Sequence, residues 1–111
     1  MIARVWHGWA SNANAQAYEE HFRTDVLRHL RQVDGFRGAQ LWRREDRGEI
    51  EFVAVTNFES IDAVGAFAGS DSELAVVEPE ARGVLLRFDA RCKHYEVVVS
   101  SVGVEDSRRS E

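Results

Sequence analysis

The chain has 111 residues, 44% of them hydrophobic and 30% charged, which predicts one soluble globular domain with a hydrophobic core of its own. Its formal net charge is −5 at pH 7 and no basic stripe interleaved with aromatic residues occurs, so a nucleic-acid-binding role is disfavoured. A lone cysteine, Cys92, excludes an internal disulfide and a cysteine-based zinc site, and no apolar run reaches the roughly 18 residues of a membrane span, so we predict a cytoplasmic protein.

The first strand and the first helix are predicted near the start of the chain. Residues 2–9 alternate with apolar or aromatic side chains in both sets, as in a strand covered on both faces. Residues 11–14 supply helix-capping side chains, and Gly35 is placed to end the helix in a left-handed conformation. The apolar stripe between them consists of Tyr18, Phe22, Val26, Leu27, Leu30 and Val33.

A β-hairpin is predicted next. Residues 36–44 and 49–58 alternate as two strands, and the polar, glycine-ended segment 45–48 connects them. In the third strand both faces are again largely apolar.

The second half predicts short helices and a last strand. Ser60 is a helix cap before residues 61–67, and residues 69–72 interrupt the helical pattern. A helical piece is predicted over residues 73–77, another helix begins at Pro79, and residues 88–99 are predicted to form the fourth strand. Residues 100–111 are polar and aperiodic, so we predict a disordered tail after a domain of residues 1–99.

The order β, α, β, β, α, β predicts an α+β ferredoxin-like domain, in which helices cover one face of an antiparallel sheet. The other face would often be polar, but the alternation sets on both sides contain apolar residues. Burial of that face against a second copy would explain this pattern and predicts a homodimer forming a dimeric α/β barrel. The apolar residues concerned include Val5, Leu41, Val53, Val55 and Val97.

Several segments of this chain resemble the antibiotic-biosynthesis-monooxygenase-like family, and together they span roughly residues 1–98. They are residues 2–9 (IARVWHGW), 35–45 (GFRGAQLWRRE), 58–64 (FESIDAV), 77–82 (VEPEAR), 88–89 (FD) and 94–96 (HYE). The resemblance implies a homodimer of dimeric α/β barrel type with a pocket in each subunit between helices and sheet. Some relatives oxygenate aromatic polyketides without metal or flavin, and others degrade haem.

The fingerprints of two branches of this family are incomplete here. The haem-degrading branch has an Asn on the first strand, a Trp at the end of the third and a His on the following helix. The matching places hold Trp6 or His7, Phe58 and the histidine-free residues 75–86, which argues against haem degradation. The quinone-forming branch has a Trp and an Asn on the third strand, where this chain has Phe58 and Ala54.

Two histidines in predicted strands are the candidate catalytic bases. Cofactor-free oxygenation needs a base that deprotonates the substrate in a dry pocket, and imidazole titrates near neutral pH. His7 and His94 lie in the first and fourth strands, and antiparallel pairing could place them near one another in a register that the sequence does not define. The alternative is that each is a hydrogen-bonded histidine in or beside the core.

Aromatic residues supply the candidate substrate-binding surface. Trp6, Trp42, Phe58 and Tyr95 would stack on or hydrogen-bond a planar molecule, with filling of the core or of a dimer interface as the alternative. Arg82 joins this set only through the geometry that the family resemblance implies.

The remaining reactive side chains are predicted to be structural. His21 and His29 lie eight residues apart among charged neighbours, so we predict that both face solvent and bind no metal. Cys92 is predicted to be a buried filler.

The leading hypothesis is therefore a homodimer that binds a compact aromatic or apolar molecule and oxygenates it, with no cofactor and no metal. The alternatives are a non-catalytic dimeric binding module and an isomerase or lyase on the same scaffold.

Overall fold

The structure is a computed structural model that describes residues 1–101. Almost all of the predicted tail, residues 102–111, lies outside the described residues. The elements are β1 (Ile2–Ser11), α1 (Asn12–His21), a π-helical segment (Phe22–Val26), α2 (Leu27–Leu30), β2 (Phe36–Asp46), β3 (Glu49–Phe58), α3 (Ile61–Ala68), α4 (Pro79–Val84), β4 (Arg87–Phe88) and β5 (Lys93–Glu96).

One antiparallel sheet organises the molecule. Its strand order is β2-β3-β1-β4, and β5 pairs with β1 beside β4. This is the strand order of a ferredoxin-like fold, so the predicted fold class is confirmed. No helix among the described residues is long and apolar enough to cross a membrane.

The predicted fourth strand is two short strands with a detour between them. β5 pairs with β1 at Ile2–Val5 and β4 pairs with it at Gly8–Trp9. Between β4 and β5 the chain bonds instead to the segment before α4: Ala75 N–H donates to Ala90 O (2.9 Å) and Cys92 N–H donates to Glu73 O (2.6 Å). The prediction of a helix over residues 73–77 is therefore wrong, because backbone groups of this segment form hydrogen bonds with residues 90–92.

The first helix contains a π-helical segment that its sequence pattern does not reveal. Between α1 and α2, Thr24 Oγ1 donates to Glu20 O at 2.8 Å, giving that carbonyl a side-chain partner beside the widened turn. The predicted stripe is buried or half-buried along the whole helix. Gly35 has φ +92°, as predicted for the residue that ends it.

The helices cover one face of the sheet and leave the other open. Buried side chains alternate along β1 and β3 on the helix side, where Trp6 and Phe52 belong to one core cluster and Phe58 to a second. The opposite residues, including Val5 and Val55, are half-buried. Leu41 pairs with Ala54 and packs against the first cluster, so it lies on the helix side.

Candidate functional site

A pocket lies between the helix-side face of the sheet and the helices. Its empty volume is about 520 Å³, and part of that volume is open solvent at the mouth of the pocket. Trp6, Phe22 and Phe67 contribute most of its aromatic wall. Its polar lining groups are Arg4, Tyr18, His21, Thr56 and Glu78. A mostly apolar cleft with a few converging polar groups is the usual form of a small-molecule site.

Trp6 is held in place within this pocket. Its Nε1–H donates to Asp89 O at 2.8 Å, and its ring centroid lies 6.1 Å from that of Tyr18. The indole also lies over Gly8, where a Cβ would come within 2.6 Å of the ring. The backbone at Gly8 thus leaves room for the indole to lie flat along the strand.

Arg4 places a positive charge in the wall of the pocket. Arg4 is only 4% exposed, and its guanidinium donates hydrogen bonds to the carbonyl oxygens of Ser72 and Leu74. Nη1 also lies 3.1 Å from His94 Nε2. Burial lowers the pKa of Arg4, but a guanidinium remains protonated in proteins.

His21 lines the same pocket and is 8% exposed, so the prediction that it faces solvent is wrong. Its Nδ1 lies 3.0 Å from Asp25 Oδ2, one turn further along the helix. This hydrogen bond is the largest cause of the lowered pKa of Asp25. Nε2 lies 3.6 Å from Glu78 Oε1, which is longer than a hydrogen bond.

A signal for His21 was present in the sequence. His21 follows Tyr18 by three residues and precedes Phe22, so the helical period places it on the apolar stripe. Its charged neighbours suggested the opposite. His29, by contrast, is half-exposed as predicted, with Nδ1 3.5 Å from Glu78 Oε2.

His94 lies behind the pocket rather than in its lining. It pairs with Arg4 across β5 and β1, so both side chains lie on the helix side of the sheet. Desolvation and then the charge of Arg4 lower the pKa of His94, which keeps its imidazole neutral. A neutral Nε2 accepts a hydrogen bond from the guanidinium.

His7 lies on the opposite face of the sheet. It pairs with Val53, and its Nδ1 is 2.9 Å from Glu51 Oε2, whose other oxygen accepts from Arg44 Nε at 2.9 Å. Because His7 is an odd-numbered position of β1 and Arg4 an even-numbered one, their side chains point to opposite faces. The expectation that His7 and His94 lie near one another is therefore wrong.

The structure disperses the other predicted substrate-binding residues. Trp42 and Tyr95 are each 53% exposed on the open face, where Trp42 pairs with Val53 and Tyr95 pairs with Ala3. Phe58 is fully buried in the second core cluster. Arg82 lies outside the pocket, with its guanidinium 5.2 Å from the centre of the Phe88 ring. Of the residues predicted to bind substrate or act as bases, only Trp6 lines the pocket.

One group of side chains within residues 1–101 offers metal ligands close together. A nitrogen of His21 and carboxylate oxygens of Glu78 and Glu80 lie within 4.8 Å of one another. Glu80 is exposed and Glu78 half-buried, and surface acids commonly gather without an ion, so we assign no metal there. Cys92 also lines the pocket and is buried, and its burial raises the pKa of its thiol.

Comparison with known proteins agrees with this architecture. The family model described as antibiotic biosynthesis monooxygenase matches residues 1–79. A crystal structure from Bacillus cereus, described as a candidate antibiotic biosynthesis monooxygenase, has 17% identity and a TM-score of 0.63, covering 89% of this chain and 94% of that one. Comparison with curated proteins gives no match.

A second solved structure is that of the haem degrader MhuD from Mycobacterium tuberculosis, with two haems bound in its active site. It has 23% identity and a TM-score of 0.60, covering 90% of this chain and 98% of that one. At such identities both likenesses show the fold alone.

Proposed function

This chain belongs to the antibiotic biosynthesis monooxygenase family, and from that premise we propose that it binds a compact, weakly acidic aromatic molecule in its pocket and oxygenates it. The observation that carries the proposal is the buried His21 in the pocket wall, held by Asp25. The sequence offered His7 and His94 as bases. His7 lies on the other face and His94 behind the pocket, so the role passes to His21.

The hydrogen bond to Asp25 fits His21 for taking up a proton. With the proton of the neutral imidazole on Nδ1, donated to Asp25, the lone pair of Nε2 is free. A base whose far nitrogen is fixed by a carboxylate is both oriented and stabilised once it becomes charged. The apolar wall of Trp6, Phe22 and Phe67 lowers the polarity of the surroundings in which such a proton transfer takes place.

The reaction proposed is the oxidation of an activated methylene group beside a hydroxylated ring. His21 takes a proton from that carbon, and the resulting electron-rich anion reacts with dioxygen to form a carbon–oxygen bond. Loss of water from the peroxide leaves a carbonyl, so CH₂ plus O₂ gives C=O plus H₂O. The substrate supplies all the electrons, and His21 returns its proton to the departing oxygen.

Two family fingerprints bear on this assignment. Haem degradation is not proposed, because residues 61–84 contain no histidine where that branch places its ligand. Ala54, which lines the pocket, and Phe58 depart from the quinone-forming pattern of the third strand.

The test is oxygen uptake with a panel of anthrone-like compounds, which carry an activated methylene group beside a hydroxylated ring. We expect uptake with at least one member, and a rate lower by about 10²–10⁴-fold in His21→Gln. His29→Gln is the matched control, because His29 is on the same helix and also approaches Glu78 but is half-exposed. Equal rates in wild type and His21→Gln would sink the assignment of the base.

A second candidate is an isomerase or lyase that uses the same base without oxygen. Tyr18 favours it, because its ring lies 6.2 Å from that of His21 and burial raises its pKa, which keeps the hydroxyl protonated and able to donate a hydrogen bond to a substrate oxygen. Turnover that continues unchanged under nitrogen would select this candidate. Ligand binding with no turnover in either atmosphere would select the non-catalytic binding module.

We also propose that the protein is a homodimer, with the open sheet face as its interface. Trp42 and Tyr95 are each 53% exposed there, beside the half-buried Val5, Val53 and Val55. Exposed aromatic and aliphatic side chains grouped on one sheet face are typical of a surface that another protein covers.

A further inference from the structure

The buried guanidinium of Arg4 lacks a negative partner within the described part of the chain. Its polar neighbours are two carbonyl oxygens, from Ser72 and Leu74, and the imidazole of His94. No carboxylate of residues 1–101 forms an ion pair with it, although Asp and Glu make up 19 of the 111 residues. A cation that is 4% exposed and unpaired is costly, because burial removes its hydration.

The titratable neighbours of Arg4 do not neutralise it. Cys92 is buried beside the same pocket, but its thiol has a raised pKa and stays protonated. His94 has no negative form in this pH range, and its lowered pKa keeps it neutral. Glu73 influences His94 but is exposed and pairs with Arg91 instead.

The guanidinium also retains donors that no described residue uses. Nη1 donates to Ser72 O and to His94 Nε2, and Nη2 donates to Leu74 O. Nε–H and one N–H of Nη2 therefore have no hydrogen-bond partner among residues 1–101. Arg4 is itself part of the pocket lining. A planar fork of free donors in a pocket wall matches a carboxylate.

We infer that the ligand of this pocket is a compact aromatic carboxylate, whose carboxylate group binds Arg4 while its rings lie against Trp6 and Phe67. The carbonyls of Ser72 and Leu74 fix the guanidinium before the ligand arrives, so little conformational freedom is lost on binding. The inference rests on the proposed function, since it names the class of molecule that the same pocket takes.

The test compares two ligands of equal shape by titration calorimetry on the full chain: 2-naphthoate and its neutral amide, 2-naphthamide. The expected result is that the acid binds about 10- to 100-fold more tightly, the range of a hydrogen bond to a charged group. Equal affinity would overturn the inference and leave the proposed function standing. Binding of neither compound would overturn both.

Variants identify the cation responsible. Arg4→Met should abolish the preference for the acid, and Arg4→Lys should retain part of it as a point charge without the fork. The matched control is Arg82→Met, which removes an arginine outside the pocket and should keep the full preference. If folded Arg4→Met still bound the acid more tightly than the amide, another residue would recognise the carboxylate and the inference would be overturned. Should Arg4→Met fail to fold, the ligand pair and Arg4→Lys still decide it.

Discussion

The contact between Arg4 and His94 makes one histidine sensitive to pH. Nη1 and Nε2 lie 3.1 Å apart, so protonation of His94 would put two cations in contact. Burial first, and the charge of Arg4 second, lower the pKa of His94, while the charge of Glu73 acts in the opposite direction.

This contact predicts that stability falls at acid pH. Unfolded His94 takes up a proton near pH ~6.5, whereas folded His94 does so only at lower pH. The unfolded state therefore binds more protons in the interval between the two values, so the free energy of unfolding decreases as pH falls through it. As the pH is lowered, the urea concentration at the midpoint of unfolding should decrease less steeply for His94→Gln than for wild type. The exposed His29→Gln is the control, and identical slopes in His94→Gln and wild type would contradict the prediction.

Cys92 should react slowly with thiol reagents. It is 4% exposed, and burial raises its pKa, so little thiolate is available at mildly alkaline pH. A chromogenic disulfide reagent should react with Cys92 of the native protein only as fast as local unfolding exposes the thiol. In denaturant the reaction should be immediate. Immediate labelling of the native chain would show that Cys92 is accessible.

The positions of individual site residues were harder to predict from the sequence than the helices and strands. Trp6 was predicted to face the ligand pocket, and it does line one. No pattern in the sequence singles out Arg4, because an arginine within a strand is usually exposed. His21 was misplaced because its neighbours in sequence are charged, although its position in the helical repeat was informative. Arg4 and His21 are both buried polar groups. The carbonyl partners of Arg4 come from the distant residues 72–74, whereas His21 bonds to Asp25 on its own helix and is buried by the packing of that helix on the sheet.

At the scale of elements, β1 depends on a glycine as much as on its apolar residues. An added Cβ at Gly8 would meet the Trp6 ring at 2.6 Å, and the rigid indole is held at its other end by Asp89. The ring would have to leave its position, and with it part of the pocket wall.

Gly8→Ala should therefore destabilise the fold by about 1–3 kcal/mol, the usual cost of overpacking. Chemical denaturation measures this, and a changed near-ultraviolet circular dichroism spectrum would report the displaced indole. Gly83→Ala is the control: Gly83 lies in α4 with nothing within 4 Å of an added Cβ, so it should be neutral or slightly stabilising. Equal stability of the two variants would mean that Trp6 has room to move.

Most elements were predictable because each is set by local periodicity. The long strands alternate and the first helix repeats on one face, so their positions agree with the sequence pattern to within a few residues. The π-helical segment and the break between β4 and β5 were not predicted. Particular hydrogen bonds accompany both features, from Thr24 Oγ1 to Glu20 O and from Cys92 N–H to Glu73 O, and no repeat of apolar residues announces them.

For the whole molecule, the fold class followed from the order of elements, but the site did not. Whether a strand residue faces helices or the open side depends on register, and a shift of one residue exchanges the faces. The register puts His7 and Trp42 on one side and Arg4 and Trp6 on the other. This separates residues predicted to act together and leaves an open face on which aromatic and aliphatic side chains lie beside the cluster of His7, Glu51 and Arg44.

The open face of the sheet is the proposed dimer interface. Val53 lies at its centre, paired with His7 on one side and Trp42 on the other. A glutamate there would bury a charge if two copies packed sheet to sheet, so Val53→Glu should be monomeric in light scattering at concentrations where wild type is dimeric. Ile61→Glu is the matched control, since Ile61 is 47% exposed on α3 in the opposite layer, and it should remain dimeric. A monomeric wild type, or a dimer that Ile61→Glu disrupts while Val53→Glu does not, would move the interface away from the sheet.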